Sequence, residues 1–100
     1  MRRGTTSTLK FKLPFDTGVI SVLNVAFEQR GSIVLEKTLS DCILSGDEIL
    51  CPLSESDTLK LNGSTHVKIQ LRIKKTNGDV VASDILEGFV ERIIKDGELT

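Results

Sequence analysis

Serine, aspartate and histidine all occur in the chain, so nucleophilic hydrolysis is the first chemistry its residues could perform. A hydrolytic triad needs a histidine between nucleophile and acid, and the single histidine, His66, opens the alternating run "HVKIQLRIKK" at a strand start, where a solvated imidazole is the ordinary outcome. No G-x-S-x-G elbow is present. Glu36, Asp41, Asp47 and Glu48 gather around one turn-rich stretch and could be taken for paired carboxylates, but acids at turns are ordinary caps, and four aromatic residues leave little with which to wall a sugar cleft. The glycines at 46, 63, 78, 88 and 97 have turn or bend spacing, with no phosphate-cradling motif among them. Cys42, Cys51 and His66 fall short of the four ligands of a structural zinc site. The chain therefore reads as a protein that is not an enzyme, with no cofactor, no metal and no small-molecule substrate.

The remaining chemistry-bearing feature is a row of polar residues, Lys68, Gln70, Arg72 and Lys74, alternating with Val67, Ile69, Leu71 and Ile73. Lysines on a solvent-facing strand keep a sheet soluble and discourage edge-to-edge pairing. Gln70 and Arg72 are less typical of a solvating face, because a planar guanidinium beside an amide suits a protein interface. Arg2 and Arg3, in a polar N-terminal segment, join these four as candidate interface residues.

What positions these residues is a period of two that runs through most of the chain, with no sustained helical stripe. "TLKFKLP" is a strand closed by Pro14, "VISVLNVAFEQ" a second with an irregularity near Ser21, and Arg30-Gly31 the turn into "SIVLEKT". Gly46-Asp47 suits a two-residue hairpin loop, which makes residues whose numbers sum to 93 face each other and pairs Cys42 with Cys51 at a non-hydrogen-bonded site. A disulfide is geometrically conceivable there, although a protein kept in a reducing cytoplasm would hold two thiols. Ser54 and Asp57 form an acidic capping box predicting a helical turn over 55–59, a plug that tucks Leu59 and Leu61 onto the core. Asn77-Gly78 marks a hairpin. Its return strand, "DVVASDILEGFVERII", slips near Ser83 and Asp84, bends or meets another backbone at Gly88, and is long enough to cross to a second sheet.

The expected fold is all-β: a single β-sandwich of seven to eight mostly antiparallel strands over residues 1–100, of immunoglobulin-like size, with at most one short helical turn. Residues 1–7 are expected to form a flexible N-terminal arm. The balance of 13 basic and 14 acidic side chains supplies no global field of the kind that draws a protein to nucleic acid. No apolar run approaches the roughly 18 residues of a membrane span, and "MRRGTTSTLKFKLP" lacks the apolar middle of a signal peptide. No membrane association and no secretory export are expected.

Several stretches together carry a resemblance: "RRGTT" at Arg2–Thr6, "QLR" at Gln70–Arg72, "GDVVAS" at Gly78–Ser83 and "RIIKDG" at Arg92–Gly97. Over nearly its whole length the chain resembles small proteins encoded by phages and prophages of Gram-positive gut bacteria. Ser7 stands where that pattern has proline. More distantly, the "TLKL…VKIQLRI…NGDVVAS" portion is similar to N-terminal domains of phage upper-baseplate proteins. The resemblance implies a virion or tail and baseplate-associated structural module whose partners are other virion proteins or further copies of itself. Its place would be the virion, or the host bacterial cytoplasm during assembly. A phage-encoded inhibitor of one host protein and a nucleic-acid-binding accessory protein are the alternative readings.

Overall fold

Alternation decides which side of each strand is buried, and in the computed structural model, which describes residues 1–99, it does so along most of the chain. Eight strands form: β1 (Ser7–Lys12), β2 (Ile20–Gln29), β3 (Ser32–Thr38), β4 (Ile43–Ser45), β5 (Glu48–Leu53), β6 (Thr65–Lys75), β7 (Val80–Ala82) and β8 (Leu86–Val90). A single α-helix, α1 (Glu55–Leu59), lies between β5 and β6, and 3₁₀ turns at Thr17–Val19 and Leu39–Asp41 lead into β2 and β4. β1, β5 and β4 make one antiparallel sheet in that order; β3, β2 and β6 make the other, with β7 and β8 both on the far edge of β6. The fold is thus an all-β sandwich. Leu23, Val25 and Phe27 of β2 face Val67, Ile69, Leu71 and Ile73 of β6 across the same inner surface, and Phe11, Ile49, Cys51 and Leu53 of the smaller sheet close over them.

The turns follow their residue chemistry. Arg30 and Gly31 both adopt positive φ, 54° and 81°, as a tight primed hairpin turn requires. At Gly46 the 93-sum register holds, with Ser45 opposite Glu48, Leu44 opposite Ile49 and Ile43 opposite Leu50. The register of β2 on β6 shifts between Ile20 and Val22, which leaves Ser21 as the irregular residue. Beyond the Asn77-Gly78 turn, β7 and β8 are two halves of one return strand whose pairing with β6 slips by one residue. The ladder runs from Arg72–Ala82 to Ile69–Leu86, and the Ser83 hydroxyl accepts from the Leu71 N–H at 3.0 Å. Both halves stay on β6, so the return strand does not cross to the other sheet. Gly88 lies opposite Val67 without crowding; the close backbone approach is at Gly63, where a Cβ would sit 3.0 Å from Arg92 Cα.

α1 is the expected plug. Ser54 Oγ accepts from the Asp57 N–H at 3.0 Å, and the Asp57 carboxylate accepts from the Ser54 N–H at 2.9 Å, the reciprocal capping box that starts so short a helix. Leu61 behind it is fully buried, whereas Leu59, expected beside it, is only half-buried and stands outside the core cluster. The Asp57 carboxylate also meets Lys37 of β3 at 2.7 Å, both side chains being largely buried, and this pair ties α1 to the larger sheet. At the neighbouring end, Gln29 is buried and its amide forms a peptide-like pair with Asn62, accepting from the Asn62 N–H and donating to its carbonyl.

Within the N-terminal segment, residues 1–3 are hydrogen-bonded to the end of β8 and Ser7 already opens β1. Arg3 N donates to Glu91 O, Glu91 N donates to Met1 O, and the amino terminus donates to Phe89 O, so residues 1–3 run parallel to the end of β8 and extend its edge. Main-chain pairing is indifferent to side-chain polarity, which is why a polar segment can be held this way.

Candidate protein interface

β6 places Lys68, Gln70, Arg72 and Lys74 together on the outward face of the larger sheet, because the odd-numbered residues between them are needed inside. Lys68, Arg72 and Lys74 are exposed; Gln70 is half-buried and donates its amide to Ser83 O at 3.1 Å, anchoring the slip between β7 and β8. Arg2 and Arg3 do not join the row. Arg2 pairs with Glu91 at 2.8 Å and donates to Arg92 O, while Arg3 donates from Nε to Leu61 O at 2.8 Å and from Nη2 to Leu59 O at 2.9 Å and pairs with Asp96. The forked guanidinium of Arg3 satisfies carbonyls at and just beyond the end of α1, so these two arginines hold the chain's own ends together.

Residues directly opposite on neighbouring strands share a face, and this extends the outer surface beyond β6. β2 contributes Val22, Asn24, Ala26 and Glu28, which lie opposite Lys74, Arg72, Gln70 and Lys68 respectively. From β3 come Glu36, opposite Ala26, and Ile33, opposite Glu28 after a bulge. Ile85 stands at the slip on the other side, and with Ile33, Ala26, Gln70 and Arg72 it lines a shallow hollow of ≈ 480 Å³. Val22, Val80, Ile33 and Ile85 are all more than half exposed on or beside this surface.

Among the described residues the ion pairs are Arg2–Glu91, Arg3–Asp96, Lys10–Glu48, Lys37–Asp57 and, when the imidazole is protonated, His66–Glu87. Lys68, Arg72 and Lys74 have no such partner, and neither have Glu28 and Glu36 of the same face. The outer sheet surface therefore combines unpaired charges of both signs with exposed aliphatic side chains.

The other chemistry-bearing residues are engaged structurally. Asp41 caps the turn after β3 by accepting from the Thr38 N–H at 2.9 Å; that bond, against the smaller opposing effect of burial, holds its carboxyl below the usual range. Glu48 pairs with Lys10 across β5 and β1. Cys42 and Cys51 are both free, Cys42 half-buried and Cys51 buried. Burial, then the neighbouring Cys42, pushes the Cys51 thiol up to about 12, and burial also raises Cys42. Neither thiol is activated as a nucleophile, since reactivity follows the thiolate. His66 packs edge-on against Phe89, ring centroids 5.3 Å apart, at the exposed end of β6. No group of three or more metal-ligating side chains occurs among the described residues, and none of their helices is long and apolar enough to cross a membrane.

Set against protein-family models, curated proteins and solved structures, the chain matches none of them.

Proposed function

We propose that this protein is a non-enzymatic phage structural module, associated with the virion or its tail and baseplate, that works by protein-protein assembly through the outer face of its larger sheet. The observation that carries the reading is the surface just described: a strand row with Arg72 at its centre, unpaired charges of both signs and exposed Val22, Val80, Ile33 and Ile85, on one rigid sheet. Arginine and aliphatic side chains in a common patch are the composition of an interface rather than of a purely solvating face. The phage setting comes from the resemblance of the chain's two ends and its central hairpin to phage-encoded proteins. Its partners would be other virion proteins or further copies of itself.

Incorporation into particles of the encoding phage tests this. Arg72→Glu leaves no core contact unmade, so unfolding free energy should stay within ~0.5 kcal/mol of wild type. Incorporation, followed by mass spectrometry of purified particles, should be lost, because a desolvated contact at Arg72 is worth ~2 kcal/mol or more. Lys60→Glu is the control, being exposed and free of the pairing that Lys10 has with Glu48. Wild-type protein absent from washed particles, or Arg72→Glu incorporated as well as the control, would refute the proposal.

A further inference from the structure

The outer face carries its basic residues in one column with acids in the columns on either side. β6 carries Lys68, Arg72 and Lys74; β2 beside it carries Glu28 with the uncharged Val22, Asn24 and Ala26, β3 beyond carries Glu36, and on the other side of β6 Glu87 of β8 stands opposite Lys68. A two-fold axis lying in the plane of the face and parallel to the strands, between β2 and β6, exchanges these columns. The β6 row of one copy then lies over β2 of the other, with Lys68 against Glu28 and Gln70 against Ala26. The β3 edge lies over the β7–β8 edge, which sets Ile33 at the level of Glu87 and Glu36 at the slip where Ile85 stands. A two-fold axis across the strands through Gln70 gives the opposite result, setting Lys68 against Arg72 and Glu36 against itself. Like charges placed face to face are strongly disfavoured.

We infer that the partner of this face is a second copy of the same chain, joined about the two-fold axis that runs between β2 and β6; the inference rests on the assembly reading above. Sheets packed face to face align their strands within about 30°, so each copy tilts about 15° from the axis and contacts near it keep their match. The size of the surface fits a reversible dimer. Four columns ~4.8 Å apart and 11 residues of β6 at ~3.3 Å each span roughly 700 Å² per copy, just under the ~800 Å² of a standard stable interface. A self-complementary surface of this size forms an isologous contact that closes on itself.

Charge exchange tests the axis directly by sedimentation. The two-fold makes each Lys68–Glu28 contact twice, so Glu28→Lys alone, and Lys68→Glu alone, should weaken self-association about a hundredfold, about tenfold for each like-charge contact. Mixed in equal amounts, the two variants should form a heterodimer as tight as the wild-type dimer, because both contacts are again of opposite sign. One chain carrying both changes should self-associate like wild type, and unchanged thermal midpoints establish that the variants are folded. A mixture as weak as its components, or single variants as tight as wild type, overturns the two-fold arrangement. A wild-type protein that stays monomeric while Arg72→Glu still abolishes particle incorporation overturns the second copy and leaves the assembly reading standing. Monomeric wild type together with normal incorporation of Arg72→Glu removes both.

Discussion

The Lys37–Asp57 pair is the place where one substitution should separate electrostatics from capping. Asp57 has two tasks: its carboxylate accepts from the Ser54 N–H at 2.9 Å to start α1, and it meets the Lys37 ammonium at 2.7 Å. Burial, the largest single influence, opposes its ionisation, but the hydrogen bond and charge of Lys37 together with the Ser54 N–H outweigh it and hold the carboxyl below its usual range. Asp57→Asn keeps an oxygen for Ser54 and removes the charge, leaving the ammonium without its counterion at 14% side-chain exposure. Stranding a fully buried charge costs ~3–5 kcal/mol, and a lysine can swing its flexible stem toward water, so a loss of ~2 kcal/mol is expected. Asp57→Ala removes the cap as well and should lose ~1 kcal/mol more. With Lys37→Met added, the Asn variant should lose less than the sum of the single changes, with ~1–2 kcal/mol of coupling. Because the folded-state value is depressed, the stabilisation is fully present above the ordinary carboxylate value of ~3.9 and is lost as pH falls through the folded one. Urea unfolding at neutral pH and again below pH ~3 reads both effects, and the gap between wild type and Asp57→Asn should narrow in acid. A neutral-pH gap under ~0.5 kcal/mol, or one that persists unchanged in acid, would show that the pair does not act as described.

Three further outcomes follow from the packing. Leu71, 3% exposed between β2 and the Ser83 slip, should cost ~2–5 kcal/mol on change to Ala, measured by urea unfolding; a loss under ~1 kcal/mol would contradict its place in the core. Gly63→Ala drives a methyl to 3.0 Å from Arg92 Cα and should cost ~1–3 kcal/mol, whereas Gly88→Ala, whose new Cβ finds only Val67 Cγ1 at 3.9 Å, should stay within ~0.5 kcal/mol in the same assay. Thiol alkylation of the native protein at mildly alkaline pH should modify half-buried Cys42 before Cys51, which should react at an appreciable rate only once the protein unfolds; mass mapping that finds Cys51 labelled first would contradict its burial.

Local chemistry was legible in the sequence wherever a short stretch settles its own geometry. Gly46-Asp47 fixed a register that holds out to Ile43 and Leu50, Ser54 and Asp57 marked a five-residue helix at both of its reciprocal bonds, and broken alternation located the irregularities at Ser21 and Ser83. Contacts between distant segments were not legible. The alternation of β2 put Leu23, Val25 and Phe27 on one side, but nothing local states that Glu28 will lie beside Lys68, some forty residues away, so half of the candidate interface was missing. The N-terminal segment shows the same limit more sharply. Its tie to β8 is made of main-chain bonds from Arg3 to Glu91 and from Glu91 to Met1, which leave no pattern in side-chain type, and a run rich in arginine and threonine therefore looked unattached.

The two arginines that left the candidate set clarify the four residues that remained. Arg3 is engaged at Nε, Nη1 and Nη2, and what it reaches are the chain's own carbonyls and Asp96; its replacement would loosen the fold whether or not the protein has a partner. Arg72 has the same forked donor without an ion-pair partner among the described residues, on a face whose β6 neighbours are backed by buried Ile69, Leu71 and Ile73. The strand alternates between the two tasks residue by residue: inward positions supply the burial that stabilises the sandwich, and outward positions can change charge without opening a cavity. That separation is what makes charge exchange at Glu28 and Lys68 a usable experiment, since the same reversal at Lys37 or Asp57 would be read first as a loss of stability. An assembly surface on the middle of a sheet also has a fixed spacing between its columns, set by the ~4.8 Å ladder, so a second copy presents its own columns at the same interval.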